Sequence, residues 1–255
     1  MLKPSVLKRS NSAAAALQFL LCFLMLGWLG VRTAEECCCE CTTNNNTTNN
    51  IPFGVPIERV IGLLAGFTFI TAVFHIVYAT GCNGKYQKEI EDGRNWLRWF
   101  EYSMTASIML VVIARSSGVH ETWIVGLLAT ASVLCMVLGG LAEASKTRWV
   151  NIGATVLGWI VLLAAYSYIL HTFVQTTKSS NVPGFVYGIV WSMFAMYMSF
   201  GLIHVVHLYK KLSQSSTETS NQRFELAYTV DSMVSKTLLV LLLFGGIVAR
   251  SSDTA

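Results

Sequence analysis

Seven long apolar runs, separated by short polar stretches, account for most of the chain. Each run is about as long as the ~20 residues that a helix needs to cross a ~30 Å hydrocarbon layer. The runs, numbered here as the first to seventh spans, are Ala13–Gly30, Val55–Ala79, Trp96–Ala114, Thr122–Ala142, Trp149–Phe173, Val182–Leu208 and Leu226–Ala249. The pattern predicts an all-α fold, a bundle of seven transmembrane helices that forms a single domain over residues 1–255.

The composition favours a membrane protein and argues against a soluble one. Apolar residues make up 53% of the chain and charged residues only 13%, against about 25% charged in a typical globular protein. The net charge of +4 is spread over loop ends and forms no basic run, which excludes a nucleic-acid partner. The first partner that the sequence predicts is the lipid bilayer.

The distribution of Lys and Arg predicts the side on which each loop lies, because positively charged loops stay in the cytoplasm. Of the 18 such residues, twelve lie on the side of the N-terminus, five on the opposite side, and Lys236 within the seventh span. Seven spans then place the N-terminus in the cytoplasm and the C-terminus outside. We expect an integral multi-pass protein of a plasma membrane or a host cell membrane.

The connection between the first two spans, residues 31–54, is the one long polar segment, and this orientation makes it extracytoplasmic. Asn45 and Asn46 each begin an Asn-x-Thr acceptor triplet for glycosylation; the alternative is an Asn- and Thr-rich spacer. The segment also carries Cys37, Cys38, Cys39 and Cys41. An oxidising compartment would favour disulfides, but adjacent cysteines rarely suit mutual pairing, so the connectivity stays open.

The first span has an alternative interpretation as a secretory signal peptide. Lys3, Lys8 and Arg9 precede the apolar run, and Arg32-Thr33-Ala34 follows it. The run is longer than the roughly 7 to 15 apolar residues of a signal peptide, which favours a retained helix. Cleavage would leave six spans.

Lys236 lies in the middle of the seventh span. A charge at that depth costs roughly 2.5 to 3.5 kcal/mol and indicates a functional site, and the side chain is too far from either helix end to reach water. The amine must therefore be paired, neutral or covalently modified. A buried lysine amine can condense with an aldehyde to form a Schiff base.

The partner that we predict for Lys236 is Glu101 of the third span. We expect the third helix to begin before its apolar run, near Asp92, which would bring Glu101 level with Lys236. In the alternative, Glu101 is an interfacial residue that pairs with Arg98.

Polar residues at helical spacing on three spans predict one polar cavity between Lys236 and the cytoplasm. They are Glu225, Thr229, Ser232 and Lys236 on the seventh span, Thr68, Thr71, His75 and Tyr78 on the second, and Glu101 and Thr105 on the third. His75 can accept, hold and return a proton. In the alternative, Thr and Ser bond back to carbonyls of their own helices. The sequence predicts no metal site, since no pair of histidines forms a credible one, and no catalytic residues.

A central lysine in the last of seven helices, with a carboxylate in the third, is the arrangement of retinal proteins. Bacteriorhodopsin-like pumps fit poorly, since their second acid on the third helix corresponds to Val112 here. The inverted orientation and the long first loop resemble the heliorhodopsins. Four strings carry that resemblance: Asn95–Ser103 (NWLRWFEYS), Thr71–His75 (TAVFH), Trp191–Phe194 (WSMF) and Tyr228–Lys236 (YTVDSMVSK).

The resemblance implies all-trans retinal bound to Lys236 as a protonated Schiff base, with Glu101 as the counterion. Ser232 and Thr105 would be its hydrogen-bonding neighbours, and the other residues implied at the chromophore are Thr71, Met109, Phe194 and Phe200. Light would isomerise the retinal, and the proton would move along a path that we expect to involve His75, Glu225, Asp231 and Thr229. The resemblance also implies a homodimer, for which Gly62–Gly66 offers a close-packing face.

Two positions depart from the heliorhodopsin pattern. Gln18 stands where the family usually has a histidine, and Asp231 stands where it has an apolar residue. The function expected is a light-signalling photoreceptor that is not an enzyme and acts through an unidentified partner. The alternatives are a light-gated proton channel or transporter, and a receptor or transporter without retinal.

Overall fold

The computed structural model describes residues 4–39, 57–81, 85–213, 215 and 217–252, and within those ranges the regular structure is entirely helical. Helix α1 covers Pro4–Cys39, α2 Ile57–Ile76 with a π-helical end at Val77–Gly81, α3 Lys85–Glu91, α4 Trp96–Ser116, α5 Thr122–Ala144, α6 Arg148–Ser179, α7 Gly184–Leu212 and α8 Glu218–Ser252. Seven of them, all except the short α3, are long and apolar enough to cross a membrane. The predicted all-α, seven-helix fold is confirmed.

Helix α8, which carries Lys236, packs mainly against α7 and also contacts α1, α2 and α3. The closely packed pairs are α1 with α2, α4 with α5, α5 with α6, and α7 with α8, while α6 and α7 approach each other more loosely. Exposed tryptophans at the starts of α5 and α6, Trp123 (86% exposed) and Trp149 (81% exposed), lie where indole rings prefer the membrane interface.

The interior is divided into an apolar half and a polar half. In the half of the bundle that contains the C-terminal ends of α4 and α6, the core is continuous hydrocarbon. It includes Ile113, Val186, Ile189, Leu239 and Leu243. In the opposite half the buried side chains include Asn95, Arg98, Glu143, His207 and Glu225. Lys236 lies between the two halves, so its polar neighbours are on one side only.

Helix α4 begins at Trp96, so the prediction of a start near Asp92 is wrong. Gly93 has a left-handed backbone with φ of +68°, which favours glycine and interrupts the helix. The side chain of Asn95 then caps α4 by accepting a hydrogen bond from the backbone N–H of Arg98 at 3.1 Å. The residues before the cap form the separate helix α3, which the sequence analysis did not predict.

Helix α1 also continues beyond the first span, from Gly30 to Cys39. The predicted connection at residues 31–54 therefore begins later than expected, after Cys39. Cys41, Asn45 and Asn46, and the side chains of Cys37, Cys38 and Cys39, lie outside what the structure describes.

Candidate functional site

Lys236 and Glu101 form a buried ion pair between α8 and α4. The Nζ of Lys236 donates to Oε1 of Glu101 at 2.7 Å, and the two residues are only 2% and 1% exposed. The hydroxyl of Tyr78 donates to the other oxygen, Oε2, at 2.8 Å. Both carboxylate oxygens therefore have a donor, and the ammonium has an anion in contact, which buried charges require.

A cavity opens beside this pair, with about 450 Å³ of empty space that includes its open mouth. It is lined by Tyr102, Thr105, Ala106, Met109, Met136, Met193, Met196, Tyr197, Phe200, Asp231, Ser232, Ser235 and Lys236. The wall is mainly methionine and aromatic, with the amine at one place and the buried Ser232 hydroxyl without a partner. An apolar aldehyde such as retinal fits this donor set and this lining.

Five of the eight residues predicted at the chromophore line this cavity: Lys236, Ser232, Thr105, Met109 and Phe200. Glu101 lies behind the amine. Phe194 and Thr71 do not line the cavity: the Phe194 ring packs on Tyr166, with 5.2 Å between centroids, and the Thr71 hydroxyl donates to the carbonyl of Phe67 at 2.9 Å. Their predicted contact with the chromophore has no support in the cavity lining.

The threonines of the polar stripes bond mainly to their own helices. The hydroxyls of Thr105 and Thr229 donate to the carbonyls of Glu101 and Glu225, four residues earlier, at 3.1 and 3.0 Å. The Thr71 hydroxyl likewise donates to a carbonyl four residues earlier on its own helix. These stripes therefore follow the alternative in which such hydroxyls satisfy backbone carbonyls.

His75 on α2 and Gln18 on α1 are both buried polar residues. The Nδ1 of His75 is 2.9 Å from Oδ1 of Asn11, and the ring makes an edge contact with Tyr78. Tyr78 in turn binds Glu101, so His75 is linked to the carboxylate through one tyrosine. The Nε2 of His75 and Oε1 of Gln18 are buried without a hydrogen-bond partner.

Glu225 is held in a second cluster of buried charges rather than beside Lys236. The Arg98 guanidinium donates to Oε2 of Glu225, and through Nη2 to Oε1 of Glu143 at 2.5 Å. Asn95 donates to Glu225 at 2.6 Å and the Trp99 indole to Glu143 at 2.7 Å. The alternative pairing of Arg98 with Glu101 is therefore wrong, because Arg98 already binds two other carboxylates.

The sequence analysis missed Glu143. It lies between two alanines, directly after the fourth span, and its depth could not be judged from the sequence. The signal that could have found it is a charge that adjoins an apolar run on the side of the membrane that also holds Arg98. Lys211 donates to its backbone carbonyl, which ties α7 to the same cluster.

Asp231 lines the cavity that contains Lys236, although it lies on a different side of α8. Its Oδ1 accepts a hydrogen bond from the Ser199 hydroxyl of α7 at 2.5 Å. This is the pairing with a neighbouring helix that a half-buried acid requires. Within the ranges that the structure describes, no group of three His, Cys, Asp or Glu residues could hold a metal ion.

The fold of the chain is similar to those of solved rhodopsins. The structure is similar to xanthorhodopsin, described as a light-driven ion pump with dual chromophore, with a TM-score of 0.74, 12% identity and coverage of 98% of this chain and 96% of that one. It is similar to the transmembrane domain of the Salpingoeca rosetta rhodopsin phosphodiesterase (TM-score 0.70, 13% identity, 96% and 85% coverage) and to a thermophilic rhodopsin (0.69, 14%, 98% and 96%). At these identities the likeness shows the fold alone.

The family assignment comes from the sequence. No curated protein sequence matches the chain, but the family model for heliorhodopsin matches residues 7–248. Proteins of this kind use retinal as their chromophore and are generally not enzymes. The chain therefore belongs to the heliorhodopsin family, as a retinal-binding photoreceptor of the membrane.

Proposed function

We propose that Lys236 holds all-trans retinal as a protonated Schiff base, that Glu101 is its counterion, and that the protein is a light-signalling receptor without enzymatic activity. The observation that carries this proposal is the 2.7 Å contact between Nζ of Lys236 and Oε1 of Glu101, beside an apolar cavity of about 450 Å³. Lys236, Ser232, Thr105, Met109 and Phe200 would hold the chromophore.

Retinal, when bound, supplies the absorption of visible light and a change of shape on isomerisation. The chain supplies a fixed anion, since Oε1 of Glu101 accepts from Lys236 and Oε2 accepts from Tyr78. A proton that leaves Nζ of Lys236 has Oε1 of Glu101 within hydrogen-bond distance. His75 lies one tyrosine further on, and its Nε2 has no partner, so His75 is the next group that can accept a proton.

The proton would remain inside the protein under this proposal. Glu225 is bound to Arg98 and Asn95. Pumps carry a second acid eleven residues after the first, and that position is the apolar Val112 here, in the hydrocarbon half of the core. A retained proton favours signalling over pumping. The N-terminus would be cytoplasmic, and the receptor would act as a homodimer on an unidentified signalling partner.

The proposal is tested by an absorption spectrum of the purified protein after addition of all-trans retinal. We expect a visible band that hydroxylamine bleaches under illumination, since hydroxylamine cleaves a Schiff base. A protein that stays colourless would contradict the proposal and favour the receptor or transporter without retinal.

Removal of the counterion charge should change the colour. Light absorption shifts positive charge away from Nζ, so an anion beside Nζ stabilises the ground state more than the excited state. Two unit charges 2.7 Å apart interact by about 6 kcal/mol at an effective dielectric constant of about 20. We expect Glu101→Gln to shift the absorption maximum to the red by an energy that is a fraction of this figure.

The matched control is Glu225→Gln, which neutralises a buried carboxylate on the same helix as Lys236. Glu225 is already bound to Arg98, so its loss should shift the spectrum much less. Equal shifts in the two variants, or an unchanged spectrum in Glu101→Gln, would remove Glu101 from the role of counterion.

A second candidate function, a light-gated proton channel or transporter, is favoured by one observation. Asp231 adds a half-buried acid to the wall of the Lys236 cavity, held there by Ser199. Recording photocurrents under voltage clamp separates the two functions. Signalling predicts no sizeable current, whereas a current that reverses with the proton gradient and falls in Asp231→Asn would replace signalling by conduction.

A further inference from the structure

Tyr78 differs from other tyrosines of the bundle in the group to which its hydroxyl donates. Three others donate to backbone carbonyls of neighbouring helices, at 3.0 or 3.1 Å: Tyr102, Tyr166 and Tyr197. Tyr78 instead donates to Oε2 of Glu101, at 2.8 Å. Any acceptor satisfies a buried hydroxyl, but a hydrogen bond to an ionised acceptor is roughly twice as strong as one to a neutral carbonyl. The bond of Tyr78 therefore acts on the charge that neutralises Lys236.

The backbone that carries Tyr78 is a π-helical turn. Helix α2 is α-helical as far as Ile76, and Val77–Gly81 continue it as a π-helix. A π turn holds more residues than an α turn, so the side chains after Ile76 point in other directions than an uninterrupted α-helix would give them. Such turns are rare and are frequent at functional sites. From this turn the hydroxyl of Tyr78 reaches α4, where it meets Glu101.

The ring of Tyr78 is held by aromatic contacts on two sides. It stacks on Tyr86 of α3, with 5.3 Å between centroids and 19° between the ring planes. His75 meets it edge-on, with 5.6 Å between centroids. Tyr78 is also buried, and a closely packed side chain has little freedom to move. Its hydroxyl is therefore a fixed donor to Glu101.

The other titratable groups around Glu101 do not replace this donor. Those that interact with it electrostatically are Lys236 on α8, His75 on α2, Tyr86 on α3 and Tyr102 on α4. Lys236 binds the other oxygen, Oε1, and His75 is paired with α1 through Nδ1. Arg98, one turn earlier on α4, is bound to two other carboxylates. Among the described residues, the donor at Oε2 is Tyr78.

We propose that Tyr78 is a positioning residue of the counterion, because its hydroxyl fixes Oε1 of Glu101 against Nζ of Lys236 and draws part of the negative charge towards Oε2. This inference rests on the proposed function, since it concerns the same counterion. It adds that the colour of the pigment and its response to acid are set in part from α2. Tyr78 does so from behind Glu101, outside the lining of the chromophore cavity.

The test is a pH titration of the visible band in the full chain loaded with retinal, with Tyr78→Phe beside the parent. Protonation of Glu101 in acid removes the counterion charge and shifts the band to the red, as Glu101→Gln should. Loss of a hydrogen bond that stabilises the carboxylate makes protonation easier. We expect the red shift of Tyr78→Phe to occur about one to two pH units higher, which is a roughly tenfold to hundredfold change in proton affinity.

Above this transition, Tyr78→Phe should absorb further to the blue than the parent. Without the hydroxyl at Oε2, more of the negative charge lies on Oε1, next to Nζ of Lys236, and stabilises the ground state. The ring and its packing are unchanged in this variant. A role in packing alone would therefore move neither the band nor its titration.

The matched control is Tyr86→Phe, which removes a hydroxyl but keeps the ring stacked on Tyr78 and both hydrogen bonds of Glu101. Its titration should follow that of the parent. Tyr86→Ala removes the stacked ring and gives Tyr78 more freedom, so it should move the transition in the same direction as Tyr78→Phe, by less. Because it retains Tyr78, this second variant provides the test if Tyr78→Phe yields no visible band.

The proposal would be overturned by a Tyr78→Phe band that titrates like that of the parent, or by equal changes in Tyr78→Phe and Tyr86→Phe. If Tyr78→Phe yields no band, an unchanged titration in Tyr86→Ala would overturn it. Failure of the proposed function has a different signature, because the parent itself would then stay colourless, and the role of Tyr78 would be wrong along with it.

Discussion

Replacing Lys236 with alanine is expected to remove the visible absorption band completely when the protein is incubated with all-trans retinal. A covalent bond to an aldehyde requires an amine, and among the described residues Lys236 supplies the amine in the wall of the apolar cavity. Lys178, at the end of α6, is exposed. The measurement is the spectrum of the purified variant beside that of the parent.

The matched control for this prediction is Lys178→Ala, which removes an exposed amine and should leave the band unchanged. Helix content from circular dichroism shows whether Lys236→Ala is folded, since alanine can occupy the middle of a helix without penalty. A folded Lys236→Ala variant that retained the parent's band would show that retinal is attached elsewhere, and the proposed site would be wrong.

The contact between Lys236 and Glu101 could be anticipated from the sequence for a physical reason. A charge in the middle of an apolar run is conspicuous, and the cost of burying it limits its surroundings to an opposite charge or a chemical modification. Few acids lie within the other spans, so Glu101 could be chosen from the sequence alone. The seven helices were predictable on the same basis, since each run has the length that a bilayer requires.

The second charge cluster could not be anticipated, because its members lie near the ends of their spans. Arg98, Glu143 and Glu225 could each have reached water there, and only the packing of α4, α5 and α8 shows that they are buried together. The start of α4 was misplaced for a related reason. The apolar pattern locates a span, but Gly93 and the capping side chain of Asn95 determine where its helix begins.

The direction in which individual side chains point also could not be predicted from the sequence. Helical spacing grouped Thr71 with His75, but their contacts differ: Thr71 bonds to its own helix and His75 bonds to Asn11. The resemblance in the string Trp191–Phe194 placed Phe194 at the chromophore, whereas its ring packs on Tyr166. A face of a helix can be predicted from its period, but which residues of that face reach a cavity depends on the neighbouring helices.

The largest loss of stability is expected from Arg98→Met. Arg98 is buried, binds Glu143 and Glu225, and lies over the ring of Tyr228, with 4.0 Å from the guanidinium carbon to the ring centroid. Methionine fills similar space but leaves two buried carboxylates without their cation. Breaking a buried ion pair in this way costs about 3 to 5 kcal/mol, measurable as the free energy of unfolding in a denaturing detergent.

The chain provides a matched control in Arg94→Met, four residues earlier. Arg94 pairs with Asp92 at 3.1 Å, but both side chains are nearly half exposed, and such surface pairs contribute about 0 to 1 kcal/mol. Similar losses in the two variants would contradict the assignment of Arg98 as the central cation of the cluster. A further test is the double variant Arg98→Met with Glu225→Gln. If the cost comes from stranded charge, removing one of the two carboxylates should recover part of the stability lost in Arg98→Met, whereas a cost that comes only from packing would not be recovered.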